Sequence, residues 1–400
     1  MEQLKNINKT KILMGIILLS FCLPKLNVIS IGTINIKLYR ALIVMCIVML
    51  ILKKKIKIPS KILFIFLIYM IFVSVISAFS YGIERLMFDY IFSFLILITV
   101  YNLGKNIEYY EWIDLIQKVA TISLILVLVN IVKNKDTILF FINNPSNQHP
   151  EYKSIFTGGQ NLEATWTALF SFFFINKPKR GYLYLSGCLL ISILLTSRVG
   201  MIIDIMGFIF LILNQISNLK RNGNTKKILF VILMLVITLS IIVVVFAYTG
   251  IADNMIDRLV NIGKDGGSQG RIRMWKYVGE ACLKNPFGYG AGNAILAVKN
   301  VSNLWYGEDN VHNLFFQMLL DFGIIGLIFY CTVISIFLKR EWRKIIKNPI
   351  VAYLVAYLII SLIQFKGAEI ITFYILGIYL LVKNKENDKK GKELIGDGRR

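Results

Sequence analysis

Long apolar runs separated by short basic clusters recur from one end of this chain to the other. Residues 61–80 and 228–249 are dominated by Ile, Leu, Val and Phe, and 311–338 is apolar over most of its length. A run of about 20 such residues crosses the roughly 30 Å hydrocarbon core as a helix. Lipid offers backbone groups no water, so each span must satisfy its hydrogen bonds internally. The expected spans are 12–30, 36–52, 61–80, 86–103, 115–132, 162–176, 182–197, 199–214, 228–249, 311–338, 349–365 and 369–383. Of the 400 residues, 56% are hydrophobic, above the roughly 45–50% of soluble domains. The expected fold class is an all-α polytopic membrane protein with about twelve transmembrane helices and a large extracytoplasmic loop before the tenth.

A formal net charge of +22 raises the question of nucleic acid. The basic residues do not share one soluble surface, as a nucleic-acid face requires. They come in clusters between apolar runs, such as Lys53-Lys54-Lys55 and Lys177 to Arg180. Cytoplasmic loops carry the excess of Lys and Arg. With the N-terminus inside, the inner segments are 1–11, 53–60, 104–114, 177–181, 215–227, 339–348 and 384–400, and nearly all are basic. The short outer loops hold little beyond Arg85, Arg198 and Lys366. Both termini are then cytoplasmic and the protein lies in the cytoplasmic membrane. Lys5, Lys9 and Lys11 before an apolar run resemble a signal peptide. No A-x-A site follows, so the segment reads as an uncleaved first helix. Cys22, Cys46, Cys188, Cys282 and Cys331 form no CxxC pair, which leaves no zinc or redox motif.

Four regions follow. Residues 1–249 form an N-terminal bundle of about nine helices. Residues 250–310 form the extracytoplasmic loop, 311–383 the C-terminal helices, and 384–400 a basic cytoplasmic tail. A second long outer segment, 133–161, holds His149 and Gly158-Gly159. Loops of such length are usually functional or disordered. In the larger one, Gly263 to Gly270 reads as a flexible turn. Arg271 to Lys284 reads as an amphipathic helix with Ile272, Trp275, Val278 and Cys282 on its apolar face. Asn285-Pro286 stops it, and Gly288, Gly290 and Gly292 follow in a stretch built for tight turning or close approach.

Three elements fall on the expected outer side. They are Ser197-Arg198-Val199-Gly200; Gly270-Arg271-x-x-x-Trp275 followed by Asn285-Pro286-Phe287-Gly288-Tyr289-Gly290; and Val311-His312-Asn313-Leu314, continuing to Asp321-Phe322-Gly323-Ile324-Ile325-Gly326. In this order they resemble the O-antigen ligase and Wzy-type polysaccharide polymerase family. Asn161-Leu162-Glu163-Ala164 resembles the N-x-x-A helix start of that family, and the motif-bearing resemblance spans residues 156–338. It implies a metal-independent, cofactor-free glycosyltransferase that moves a polyprenyl-pyrophosphate-linked glycan onto an acceptor sugar at the outer membrane face. The partners implied are a lipid-linked oligosaccharide donor and acceptor and the bilayer, with a chain-length regulator and a flippase nearby, and no nucleic acid.

The residues make chemical sense of that implication. Arginine's planar fork matches phosphate oxygens bidentately, which points to Arg198 and Arg271 for the donor pyrophosphate. An unperturbed imidazole titrates near 6.5 and can take a sugar hydroxyl's proton, which points to His312 as catalytic base. Arg273, Trp275, Asn313, Glu308 and Asp309 are further substrate-contact candidates. Plainer readings stand beside these. Arg198 and Arg271 serve as end or loop charges, Arg273 and Lys276 as headgroup contacts, Glu308 and Asp309 as helix N-terminal charges. Gly323 and Gly326 serve as packing positions, and Arg40 and Arg85 as interfacial cations. No metal-ligand group emerges. The expected function is polymerisation of lipid-linked repeat units into capsular, exopolysaccharide or O-antigen chains. A ligase of the same family and a lipid-linked oligosaccharide flippase are the competing readings. The Ile-, Lys- and Asn-rich composition suggests an AT-rich genome, and a host without an outer membrane would exclude transfer to lipid A. The halves show no matching interrupted helices of the transporter kind.

Overall fold

The computed structural model describes residues 2–24, 27–31, 34–143, 152–156, 159–221, 266–303 and 310–397. The expected span 228–249 and residues His149, Glu308 and Asp309 lie outside the described residues. In chain order the elements begin with α1 (Glu2–Cys22), β1 (Asn27–Ile31), β2 (Ile34–Lys37), α2 (Leu38–Leu52), α3 (Lys61–Tyr81) and α4 (Arg85–Leu103). Then come α5 (Tyr109–Lys133), α6 (Lys135–Asn143), α7 (Gly159–Leu169), α8 (Pro178–Leu194) and α9 (Arg198–Arg221). The rest are α10 (Gly266–Lys276), α11 (Val278–Lys284), α12 (Ala294–Ser302), α13 (Leu314–Glu341), α14 (Pro349–Ile360) and α15 (Ile370–Asp397).

Five described helices are long and apolar enough to cross a membrane: α3, α4, α5, α9 and α13, with α2 and α14 as shorter apolar helices. Their outward faces are apolar, as lipid requires: Phe79 is 91% exposed and Leu52 77%. This is a multi-pass helical membrane protein.

The structure departs from the expected spans in identifiable places. The first ends at Cys22 rather than continuing to residue 30, because Pro24 lacks the N–H and clashes with a helix interior. The chain instead makes a short antiparallel hairpin pairing Ile31 with Ile34 and Asn27 with Lys37, so the described fold is helical but for this one ribbon. The 271–284 helix is two helices, broken at Tyr277. The first starts at Gly266, so the expected flexible turn is helical from there on. The buried residues are Met274, Val278, Ala281 and Cys282, so Val278 and Cys282 of the expected face are inside, while Ile272 is 42% exposed. Helix α15 continues to Asp397, through the described part of the stretch 384–400.

The chain divides into two compact units. The first holds residues 1–116, 273–341 and 361–400; the second holds 117–272 and 342–360. In the first, α15 packs along α4. Phe94 meets Phe373 edge-on at 5.1 Å, and the Ser93 hydroxyl donates to the Ala368 carbonyl at 2.9 Å. Helices α11 and α12 lie against α13, and with it they bury Met274, Val278, Tyr289, Ala294, Val298, Val311 and Leu320 as a small core. The expected extracytoplasmic loop is, over its described part, a folded cap on the start of α13. In the second unit, α7, α8 and α9 pack together with α14 and the 3-10 turn Phe170–Phe174.

Candidate functional site

In the first unit the motifs are joined by hydrogen bonds. Helix α13 is broken at Gly323, whose backbone (φ 68°, ψ −170°) is non-helical. The break frees carbonyls and one N–H inside an apolar helix, where each unpaired group is costly. The Asn285–Gly290 loop supplies the partners. Tyr289 N–H donates to Leu320 O at 2.8 Å, Gly290 N–H to Asp321 O at 2.8 Å, and Ile324 N–H to Pro286 O at 3.0 Å. Tyr69 hydroxyl takes the Phe322 carbonyl at 2.8 Å. The approach requires glycine on both sides. A Cβ at Gly288 would lie 2.6 Å from Asp321 O, and one at Gly323 would overlap Pro286 O. Gly323 is therefore a helix break that receives the loop, not the packing position expected from sequence. Gly326 does pack, facing Phe322 and Tyr69.

A second chain of bonds runs to His312. Trp275 Nε1–H donates to Val311 O at 2.8 Å, and the indole meets Phe316 edge-on at 5.8 Å. Val311 N–H donates to Gln317 Oε1 at 3.3 Å, and Gln317 Nε2 donates to Asp321 Oδ2 at 2.7 Å. Asp321 Oδ1 accepts the Ala294 N–H at 3.0 Å, at the start of α12. Between Val311 and the helix, His312 takes left-handed backbone (φ 53°), uncommon outside glycine but tolerated by His. Its N–H donates to Asn310 Oδ1 at 2.8 Å. Asn313 Oδ1 accepts Phe316 N–H at 3.1 Å and so caps α13. Leu314 N–H is taken by Ser361 O at 2.8 Å.

Trp275 and Asn313, expected to contact substrate, thus have internal bonds that shape the peptide carrying His312. Asn310 and Gln317 were not singled out from sequence, and Asp321 entered only as the first residue of the glycine motif, with no role. The signal that marks Gln317 and Asp321 is a polar pair four residues apart within an apolar span, since intramembrane ionisable groups flag function.

In the second unit, Ser197 is the N-cap of α9. Its Oγ accepts the Gly200 N–H at 3.2 Å and its carbonyl the Met201 N–H at 3.1 Å. Thr196 before it is left-handed (φ 48°), a strained placement for a β-branched residue. A Cβ at Gly200 would lie 2.9 Å from Ala164 Cβ and 2.5 Å from Ser192 Oγ, so the S-R-x-G glycine marks close packing on α7. From Leu195 to Gly200 every residue is buried except Arg198, which is half-exposed. A cation at the first position of a helix opposes the helix dipole by about 0.3–1 kcal/mol. The same N-terminal N–H groups favour an anion. Arg271, one helical turn before Trp275 in α10, is half-exposed, while Arg273 and Lys276 are exposed.

The Asn161–Ala164 element is structural as well. Glu163, fully buried, accepts Ile155 N–H at 2.9 Å and the Tyr152 hydroxyl at 3.3 Å. Burial, with the Glu163 charge beside it, pushes that hydroxyl's pKa well up. Among the described residues no three His, Cys, Asp or Glu side chains group as metal ligands.

The chain is a helical multi-pass membrane protein in which the described helices after Gly266 bring an H-N element, a tryptophan anchor and a glycine loop together at the start of α13. Residues 183–331 match the family model described as O-Antigen ligase, which is consistent with an O-antigen ligase/Wzy-type family. The matched stretch contains Arg198, Arg271, Trp275, His312 and Asp321; Glu163 precedes it. Members of that family are glycosyltransferase-like enzymes. A comparison with curated proteins found no match.

Proposed function

We propose that this protein polymerises polyprenyl-pyrophosphate-linked oligosaccharide repeat units at the outer face of the cytoplasmic membrane, with about twelve spans and both termini inside. The observation that carries it is the coincidence of the family match with the Trp275–Val311–Gln317–Asp321 network that sets the His312 backbone. Arg198 and Arg271 hold the donor diphosphate by charge-assisted bonds and stabilise charge developing on it as the sugar–phosphate bond breaks. His312 accepts the proton of the acceptor hydroxyl as its oxygen attacks the anomeric carbon. No metal is required in this scheme. The description of the matching family favours a ligase as the second reading, in which the same residues deliver the glycan to a different acceptor.

The test is in vitro turnover of a purified lipid-linked repeat by wild type and His312→Gln. General-base assistance contributes roughly 10²–10⁴-fold. His312→Gln should therefore yield only single repeats, with and without chelator in the wild-type control making no difference. Near-wild-type ladders from His312→Gln would remove the base assignment. Chelator-sensitive wild-type activity would remove the metal-free scheme. Transfer to a non-repeat acceptor without polymer would favour the ligase.

A further inference from the structure

The N-termini of α2 and α4 gather three cations. Lys37 is the N-cap residue of α2, Arg40 lies in its first turn and Arg85 opens α4. Helix N-termini favour anionic side chains. Neither first turn contains one; the N-cap residue of α4 is Glu84, but its side chain, like that of Lys37, bonds no backbone N–H. All three cations lie on the side where short loops should be poor in Lys and Arg, so they do not serve the charge alternation. Lys37 and Arg40 even fall within the stretch expected to span the membrane.

The cluster is built rather than loose. Arg40 Nη2 pairs with Asp89 Oδ1 at 2.8 Å, and its Nε donates to the Tyr39 hydroxyl at 3.3 Å. Its guanidinium lies 5.2 Å over the Phe92 ring and 5.8 Å from the Tyr39 ring. A snorkelling interfacial arginine would not need this fixing. Lys37 lies 5.9 Å from the same tyrosine ring. The motif loop borders the cluster: a Cβ at Gly292 would lie 2.8 Å from Glu84 Cβ and 3.1 Å from Leu86 Cβ, the two neighbours of Arg85.

We infer that Lys37, Arg40 and Arg85 form a second diphosphate site, which holds the lipid-linked acceptor by its phosphate groups. This rests on the polymerase reading, in which both substrates carry a polyprenyl diphosphate while Arg198 and Arg271 serve one. Two helix N-termini without a side-chain cap bond, and the guanidinium donors that Arg40 does not give to Asp89 and Tyr39, suit clustered phosphate oxygens. The same chemistry would recognise an anionic phospholipid headgroup, and the experiment separates the two.

The purified protein in phosphatidylcholine nanodiscs is titrated with farnesyl diphosphate, and the bound equivalents are counted. Wild type should bind two. Arg85→Gln, at an exposed position, should weaken one of them roughly ten- to hundredfold, the worth of one charge-assisted contact. Lys37→Gln/Arg40→Gln/Asp89→Asn, which leaves no carboxylate stranded, should abolish it. Arg198→Gln/Arg271→Gln should remove the other and leave this one. Full binding of both equivalents by Arg85→Gln and by the triple variant would overturn the site. So would equal displacement of the probe by phosphatidylglycerol nanodiscs, which would make the cluster a headgroup patch. If Arg198→Gln/Arg271→Gln keeps two equivalents while the cluster variants keep one, the donor assignment has failed and this site stands.

Discussion

Trp275 ties α10 to the peptide that precedes α13. Its indole N–H holds the carbonyl of Val311, one residue before His312. Trp275→Phe retains a ring against Phe316 but leaves that buried carbonyl short of a donor, at a cost of about 1–3 kcal/mol. The predicted result is a fall in kcat with little change in KM for the lipid-linked repeat, since His312 is displaced and the arginines remain. An unchanged kcat would show that the bond does not position the histidine. Arg198→Lys and Arg271→Lys probe a different property, because they keep the charge and lose the fork. Each should reduce polymer strongly at matched membrane levels, and full activity of Arg271→Lys together with Arg271→Ala would exclude that residue. Gly323 is the strictest position. Its φ and ψ belong to a region essentially reserved for glycine, worth about 1–3 kcal/mol to any other residue, and a Cβ would strike Pro286 O. Gly323→Ala should therefore lower the Tm and loosen the 285–290 loop, read by scanning fluorimetry and by protease cleavage in that loop.

Among the elements, the apolar runs were legible because hydropathy alone decides where a membrane helix lies. The expected 36–52 and 61–80 match α2 and α3 within two residues, the expected 199–214 begins with α9 but stops well short of its end at Arg221, and the break at Ser197 falls between the expected spans 182–197 and 199–214. What pattern could not supply was any feature set by contact at a distance. The kink at Gly323 is written by the loop bonded to it. The stripe Met274–Val278–Ala281 is chosen by the core it meets rather than by the best helical period. Glycines at 266, 267 and 270 weaken an isolated helix by roughly 1 kcal/mol each relative to alanine, so a turn was the reasonable expectation there. The motif order was legible, but its reason was not: Asp321 links α13 to the start of α12 while Gln317 links it to Val311. Removing that carboxylate tests the join. Asp321→Ala strands the Ala294 N–H and the Gln317 amide, each worth about 1–3 kcal/mol when buried without a partner. Asp321→Asn keeps one acceptor. Thermal unfolding should rank wild type above Asp321→Asn and that above Asp321→Ala, and equal Tm values for all three would sink the account of the cap.

For the whole molecule the open quantity is orientation, and the first unit constrains it internally. At one end of α4, Asn384 Nδ2 donates to the Tyr101 hydroxyl at 2.7 Å and Lys385 Nζ to Ile107 O at 3.1 Å. Buried Glu341 there pairs with Lys383 at 2.8 Å. At the other end lie Arg85 and Asp89, with Arg40 and the Gly292 loop against them. Whatever side the end of α13 occupies, the glycine loop and the start of α4 occupy the opposite one. The positive-inside rule then breaks the tie. Lys339 and Arg340 close α13 and Arg343, Lys344 and Lys347 follow it in sequence, and such clusters stay in the cytoplasm. The predicted outcome is a cytoplasmic signal from topology reporters fused after Lys347 and after Lys227, which lies outside the described residues, and an external signal from one fused after Gly266. Both reporter types, one active only inside and one only outside, should agree. An external signal after Lys347 would invert the first unit and place His312 and the Lys37–Arg40–Arg85 cluster in the cytoplasm. A lipid-linked repeat presented at the outer face could not then reach them.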